Sequence, residues 1–215
     1  MTYLSSYQLK TSDLMTPGGS KSLVVASLEE LFYKDGWYET RVDTEQIIYK
    51  VAKRTGERKP IKLAPLDTFA RLNLKNNEIS VDVSTTYQEG YLIDALKGRL
   101  AVDIEWNAKD GNLDRDIAAY RAWYDLGLID GAILITKEME SCRTLVNKIW
   151  DDFQSSISCL EPWRGKPSPV DLGTTTTTSL EKARERIKRG DGGGCPILVV
   201  GLTDRCWDGK PYQLP

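Results

Sequence analysis

From Arg99 to Trp106 apolar and polar positions alternate: Leu100, Val102, Ile104 and Trp106 fall on one face, Ala101, Asp103 and Glu105 on the other. That period of two predicts a strand. Ile79, Val81 and Val83 alternate with Ser80, Asp82 and Ser84 and predict another, beginning near Glu78, and Trp37 to about Val51 reads as extended. Ala132-Ile133-Leu134-Ile135 and Pro196 to Leu202 are short, continuously apolar runs, the pattern of strands buried on both faces. Helical spacing appears at Val24, Leu28, Leu31 and Phe32, predicting a helix over about 22–34 that Asp35-Gly36 ends. A second helix carries Leu113, Ile117, Tyr120 and Tyr124 as its stripe, with Asn112 as N-cap and Gly127 closing it. A third carries Cys142, Leu145, Val146 and Ile149. Thr178 and Glu181 have capping-box spacing and open a basic helix that stops at Gly190. Residues 52–68 and 160–173 read as loops, and Ala95-Leu96-Lys97-Gly98 as a turn. Strands interleaved with helices predict an α/β fold, a central mixed β-sheet flanked by helices.

Composition changes this picture mainly by an absence. Among 215 residues there is no histidine, which excludes imidazole bases, His-liganded zinc and Ser-His-Asp triads. Gly18-Gly19-Ser20-Lys21-Ser22 has Ser where a P-loop requires Gly, so it reads as a loop entering a helix. No run is apolar enough to span a bilayer. The opening MTYLSSYQLK lacks the basic-then-apolar order of an export signal. A cytoplasmic location is therefore expected, with Cys142, Cys159, Cys195 and Cys206 as free thiols. Net charge is −2, but Lys50 to Lys75 carries a local +6 and Ser179 to Gly190 a local +3. These stretches are either solvated faces or attractive surfaces for nucleic acid.

The candidate chemistry lies at Asp94 and at Val102-Asp103-Ile104-Glu105. Two residues apart on a strand, Asp103 and Glu105 point the same way, with Cα atoms roughly 7 Å apart. Asp94 precedes a short turn that can bring a third carboxylate close. A divalent cation would offset the repulsion, and an all-oxygen set without soft ligands favours magnesium over zinc. The alternative is a half-exposed strand whose polar face is acidic. Asn107, Lys109 and Arg115, at the start of the following helix, either reach phosphates and bases or are plain surface.

The segment Asp94 to Thr136 (DALKGRLAVDIEWNAKDGNLDRDIAAYRAWYDLGLIDGAILIT) resembles the catalytic core of BglII-like type II restriction endonucleases, members of the PD-(D/E)xK nucleases related to BamHI- and BstYI-type enzymes. The likeness extends to Gly36-Trp37 and to Thr174–Thr178 followed by Gly-Cys-Pro-Ile-Leu-Val-Val-Gly-Leu, in the same order along the chain. It implies a restriction-endonuclease-like core in a single nuclease domain over 1–215, with the catalytic core at about 78–136 and 174–203 completing it. It further implies Mg2+-dependent cleavage of a palindromic site in double-stranded DNA by a homodimer, and leaves open a companion methyltransferase. Asp94, Asp103 and the Ile104 carbonyl would hold the metal. Glu105 stands where the motif name has Lys and BglII has Gln; BamHI-type enzymes also use Glu there. It is expected to orient or deprotonate the attacking water, or to bind a second metal. Glu39 is a further catalytic candidate. Thr174, Thr175, Thr176, Thr177 and Thr178, with Lys182 and Arg184 behind them, are expected on the DNA-reading surface. A non-specific repair or junction nuclease, or an inactive DNA-binding relative, would share this core.

Overall fold

A computed structural model describes residues 4–17, 22–53, 79–157, 159, 162–172 and 176–214. The chain divides into two units, Met1–Thr40 with Leu92–Pro215, and Arg41–Tyr91.

The first unit is built on a five-stranded sheet in the order β1-β4-β5-β6-β7. Its strands are β1 (Tyr38–Arg41), β4 (Leu92–Lys97), β5 (Leu100–Glu105), β6 (Gly131–Lys137) and β7 (Ile197–Leu202). β4 runs antiparallel to β5, whereas β5, β6 and β7 are parallel, so the sheet is mixed as the pattern predicts. The helices are α1 (Thr11–Leu14), α2 (Leu23–Lys34), α3 (Gly111–Asp125), α4 (Met139–Gln154) and α5 (Leu180–Lys188). On one face, α2 and α4 bury Val24, Leu28, Phe32, Leu145, Val146 and Ile149 against Val102, Ile104, Ile133 and Ile135. On the other, Leu113 of α3 and Ala183 of α5 meet Leu134. Both faces of β6 are buried along its whole length. Each core side chain removed from water contributes about 1.5–3 kcal/mol, so these two layers fix β5 from above and below.

The second unit contains an antiparallel pair, β2 (Thr44–Lys53) and β3 (Ile79–Gln88), in register from Thr44↔Gln88 to Lys53↔Ile79. Ala52 and Lys53, expected in a loop, are the last residues of β2; the rest of that loop, 54–68, and most of the basic stretch Lys50–Lys75 lie outside the described residues.

Local departures from the sequence pattern have identifiable causes. Ala95, Leu96 and Lys97 are strand, not turn; the turn is Gly98-Arg99, where Gly98 takes φ 60° and lets two residues reverse the chain. The N-cap of α3 is Asp110 and not Asn112, and Trp123 replaces Tyr124 among its buried residues. The cap of α5 is Ser179, whose hydroxyl accepts from Lys182 N–H; Thr178 is drawn inward instead. β7 is the sheet's edge strand and only half-buried, with Leu198 52 % exposed. The four cysteines are free thiols. No helix among the described residues is long and apolar enough to cross a membrane.

Candidate active site

The β4–β5 ladder ends at Ala95↔Val102. One residue further, side chains replace the main-chain bonds of the ladder. The Asp94 N–H donates to Asp103 Oδ1 at 3.0 Å, and the Ile104 N–H donates to Asp94 Oδ2 at 2.8 Å. The two aspartates are thus tied reciprocally to each other's strand. The Glu105 carbonyl takes the hydroxyls of Thr136 (2.7 Å) and Thr178 (3.0 Å), on the β6 side. Because main-chain groups alternate along a strand, the Ile104 carbonyl faces the β4 side, where Asp94 stands.

Asp103 and Glu105 share the face covered by α3, and they are buried, 6 % and 8 % exposed. A half-exposed acidic face is therefore excluded. Asp116, on α3, is 6 % exposed and faces Glu105. Sequence reasoning missed it; the signal available was a carboxylate one position from Ile117 in the buried stripe. Asp103 Oδ2 accepts from the fully buried Tyr120 hydroxyl at 2.6 Å. Arg115 bonds Asp116 Oδ1 through Nε and Nη2, both at 2.8 Å, and its Nη2 lies 3.8 Å from Glu105 Oε1. Arg115, expected as a DNA contact, is thus engaged inside the cluster. Glu105 Oε2 and Asp116 Oδ2 are buried without a hydrogen-bond donor.

Asp103, Glu105 and Asp116, desolvated together beside the Arg115 guanidinium, resist ionisation. Burial, and then the neighbouring Asp94 charge, push Asp103 from 3.8 up to about 7. Burial, and then Asp116, push Glu105 from 4.5 up to about 9. Burial raises Asp116 as well. Carboxylates this reluctant to ionise accept a cation or a shared proton readily.

This chemistry fits magnesium. The donors are hard oxygens, two orphaned carboxylate oxygens lie beside them, and a divalent charge would offset the repulsion. No cluster of three or more carboxylates or thiols in metal-binding arrangement occurs among the described residues. The expected set needs only two such side chains and a carbonyl, since magnesium usually keeps several waters.

Several expected DNA contacts come together at the end of β5. Asp110 N–H donates to the Thr176 carbonyl, Thr178 N–H donates to the Ala108 carbonyl, and Lys109 pairs with Thr177. The Thr176–Thr178 segment is thereby sewn to the β5–α3 loop, which also carries the exposed Asn107. Buried Lys137 reinforces the seam, its ammonium donating to the Trp106 and Thr178 carbonyls and to Asn107 Oδ1. Burial pushes Lys137 down to about 8. Thr178 is fully buried with its hydroxyl committed to Glu105, so its side chain does not belong to a reading surface. Thr174 and Thr175 lie outside the described residues. Thr176 is exposed and Thr177 half-buried.

The basic helix is less available than its composition suggests. Lys182 donates to the Thr177 carbonyl at 2.7 Å, and Arg186 grips Asp114 at 2.6 and 3.0 Å and Asp110 at 3.0 Å. Arg184 is exposed. Glu39 is exposed on β1.

The family model described as restriction endonuclease BglII/BglIII matches residues 1–202 of the chain. No curated protein matches it.

Proposed function

The chain belongs to the BglII/BglIII restriction endonuclease family and is a nuclease; from that premise we propose that it cleaves a specific palindromic site in duplex DNA with Mg2+ as cofactor. The observation that carries this reading is the buried carboxylate cluster where β4 parts from β5. Asp94, Asp103 and the Ile104 carbonyl would hold the ion, whose chemistry there would be to polarise the scissile phosphate and offset charge on the leaving oxygen. Glu105, two residues further along the same strand face and with Oε2 carrying no hydrogen bond, would orient or deprotonate the attacking water. Asn107, Lys109, Thr176 and Thr177 supply hydroxyl, amide and ammonium groups within one seam for phosphates and base edges. Two copies related by a two-fold axis match the symmetry of a palindrome, and the active form proposed is a homodimer.

Incubation of plasmid with purified protein and excess magnesium tests the proposal directly. Discrete fragments with a common end sequence are expected, with no cutting in chelator. Random termini would replace it by a non-specific nuclease, and intact plasmid in magnesium or manganese would refute it. Sedimentation of the free protein and of its complex with a cleaved duplex reads the dimer.

A further inference from the structure

Tyr120 is a puzzle as a core residue. It lies fully buried, where phenylalanine would fill the same volume without a hydroxyl to satisfy. Its hydroxyl finds Asp103 at 2.6 Å. Four residues earlier on the same helix face stands Asp116, against Glu105. The two pairs match in spacing: Asp103 and Glu105 are roughly 7 Å apart along β5, and Asp116 and Tyr120 roughly 6 Å apart along α3. Tyr120 meets the earlier strand residue and Asp116 the later one, as a helix returning antiparallel to its strand requires. Arg115 clamps Asp116 from the side with two donors on Oδ1, leaving Oδ2 without a donor, while the Asp116 carboxyl group interacts with that of Glu105.

We propose that α3 is the positioning element of the site, with Tyr120 setting the orientation of the Asp103 carboxylate and Asp116, clamped by Arg115, setting that of Glu105. This rests on the nuclease reading above and assigns these residues no direct contact with DNA. Asp103 retains a lone pair on each oxygen for a ligand while its plane is fixed from two sides, by the Asp94 N–H and the Tyr120 hydroxyl. Such outer partners are typically worth 10–100-fold in metal affinity or activity. Glu105, by contrast, is steered by a carboxyl group, so an amide at position 116 can hold it equally well: it accepts from Arg115 and donates to Glu105.

Three variants test this: Tyr120→Phe, Asp116→Asn and Asp116→Ala. Manganese affinity of the DNA-free protein is measured by electron paramagnetic resonance, alongside kcat, KM, duplex affinity in chelator and the melting temperature. For Tyr120→Phe, manganese affinity and kcat should each fall about 10–100-fold, with duplex affinity in chelator within about twofold of the parent. Asp116→Ala should lose kcat on the same scale, and Asp116→Asn should restore most of it, with KM little changed in either. If parent protein cuts DNA and Tyr120→Phe matches it in manganese affinity and kcat, the Tyr120 assignment is overturned and the nuclease reading stands. If Asp116→Asn is as impaired as Asp116→Ala, the steering role of Asp116 is overturned. If the parent neither cuts DNA nor takes up manganese, the nuclease reading falls and this inference falls with it.

Discussion

Asp103→Asn exchanges a carboxylate that is 6 % exposed, packed beside Asp94, for a neutral amide of nearly the same shape. The amide oxygen keeps the bond from the Asp94 N–H, and the amide nitrogen can donate to Tyr120, whose hydroxyl turns its proton aside. What changes is charge. In the folded protein Asp103 is raised from 3.8 to about 7, first by burial and then by Asp94. A group raised on folding binds its proton more tightly in the native state, so stability falls as pH rises from about 4 to about 7 and stays low above that. At pH 8 the disfavoured ionisation amounts to roughly 4 kcal/mol at about 1.4 kcal/mol per pKa unit. Recovering half of it would raise the melting temperature by several degrees, at about 2–4 °C per kcal/mol for a chain of this size.

The expected outcome is a variant that melts higher than the parent in chelator at pH 8, loses most of that advantage at pH 4.5, and does not cut DNA. Adding magnesium should raise the melting temperature of the parent and leave the variant unmoved, since only the parent holds the ion. Calorimetric or fluorescence melting at both pH values, with and without metal, reads all four quantities. An asparagine variant that melts at or below the parent at pH 8 in chelator would refute the reasoning, because the buried carboxylate would then stabilise the fold.

Other residues carry smaller, separable effects. Thr178→Val removes one of two hydroxyls on the Glu105 carbonyl and should cost about 1 kcal/mol, read as a melting temperature a few degrees lower; an unchanged value would show that the bond contributes nothing. Arg186→Ala breaks a bidentate bond to Asp114 from a side chain only 12 % exposed and should cost about 1–3 kcal/mol in urea unfolding. Arg184→Ala, on the exposed side of the same helix, should change stability by less than about 0.5 kcal/mol but flatten the slope of log duplex affinity against log salt by about 0.9. An unchanged slope would remove Arg184 from the DNA surface.

The order of strands and helices was legible because β5, α2 and α4 have clean periods and β6 is an unbroken apolar run. The pairing of Asp103 with Glu105 followed from the same period of two. That both are buried was not legible: a polar strand face usually meets water, and nothing in Ala101-x-Asp103-x-Glu105 announces that α3 lies on it. Tyr120 was readable as core and unreadable as a hydrogen-bond donor, because a tyrosine ring satisfies an apolar stripe whether or not its hydroxyl has work. Thr178 and Glu181 met the spacing of a capping box, but Ser179 met the local geometry, and the Glu105 carbonyl claimed Thr178. β7 looked doubly buried because an apolar run does not say whether another strand follows it in the sheet. The match over residues 1–202 agrees with a resemblance that rested on the order and spacing of short motifs.

The site and the fold are not separable at β5. Ending the ladder at Ala95↔Val102 would leave main-chain groups of two strands unpaired, and it is the two carboxylates proposed to hold the metal that satisfy them, Asp103 for the Asp94 N–H and Asp94 for the Ile104 N–H. The same bonds fix the two carboxylates relative to the Ile104 carbonyl, so satisfying the backbone and aligning the donors are one event. On the other side of the strand, the Glu105 carbonyl gathers Thr136 and Thr178, and Lys137 binds Trp106, Asn107 and Thr178. Thr178 therefore touches the residue next to the proposed metal donors, while Thr176 and Thr177, just before it in the chain, lie beside Lys109. Two residues of chain separate the exposed seam from the acidic centre. A displacement of that seam by a bound duplex would act on the Glu105 backbone through Thr178 without any intervening element.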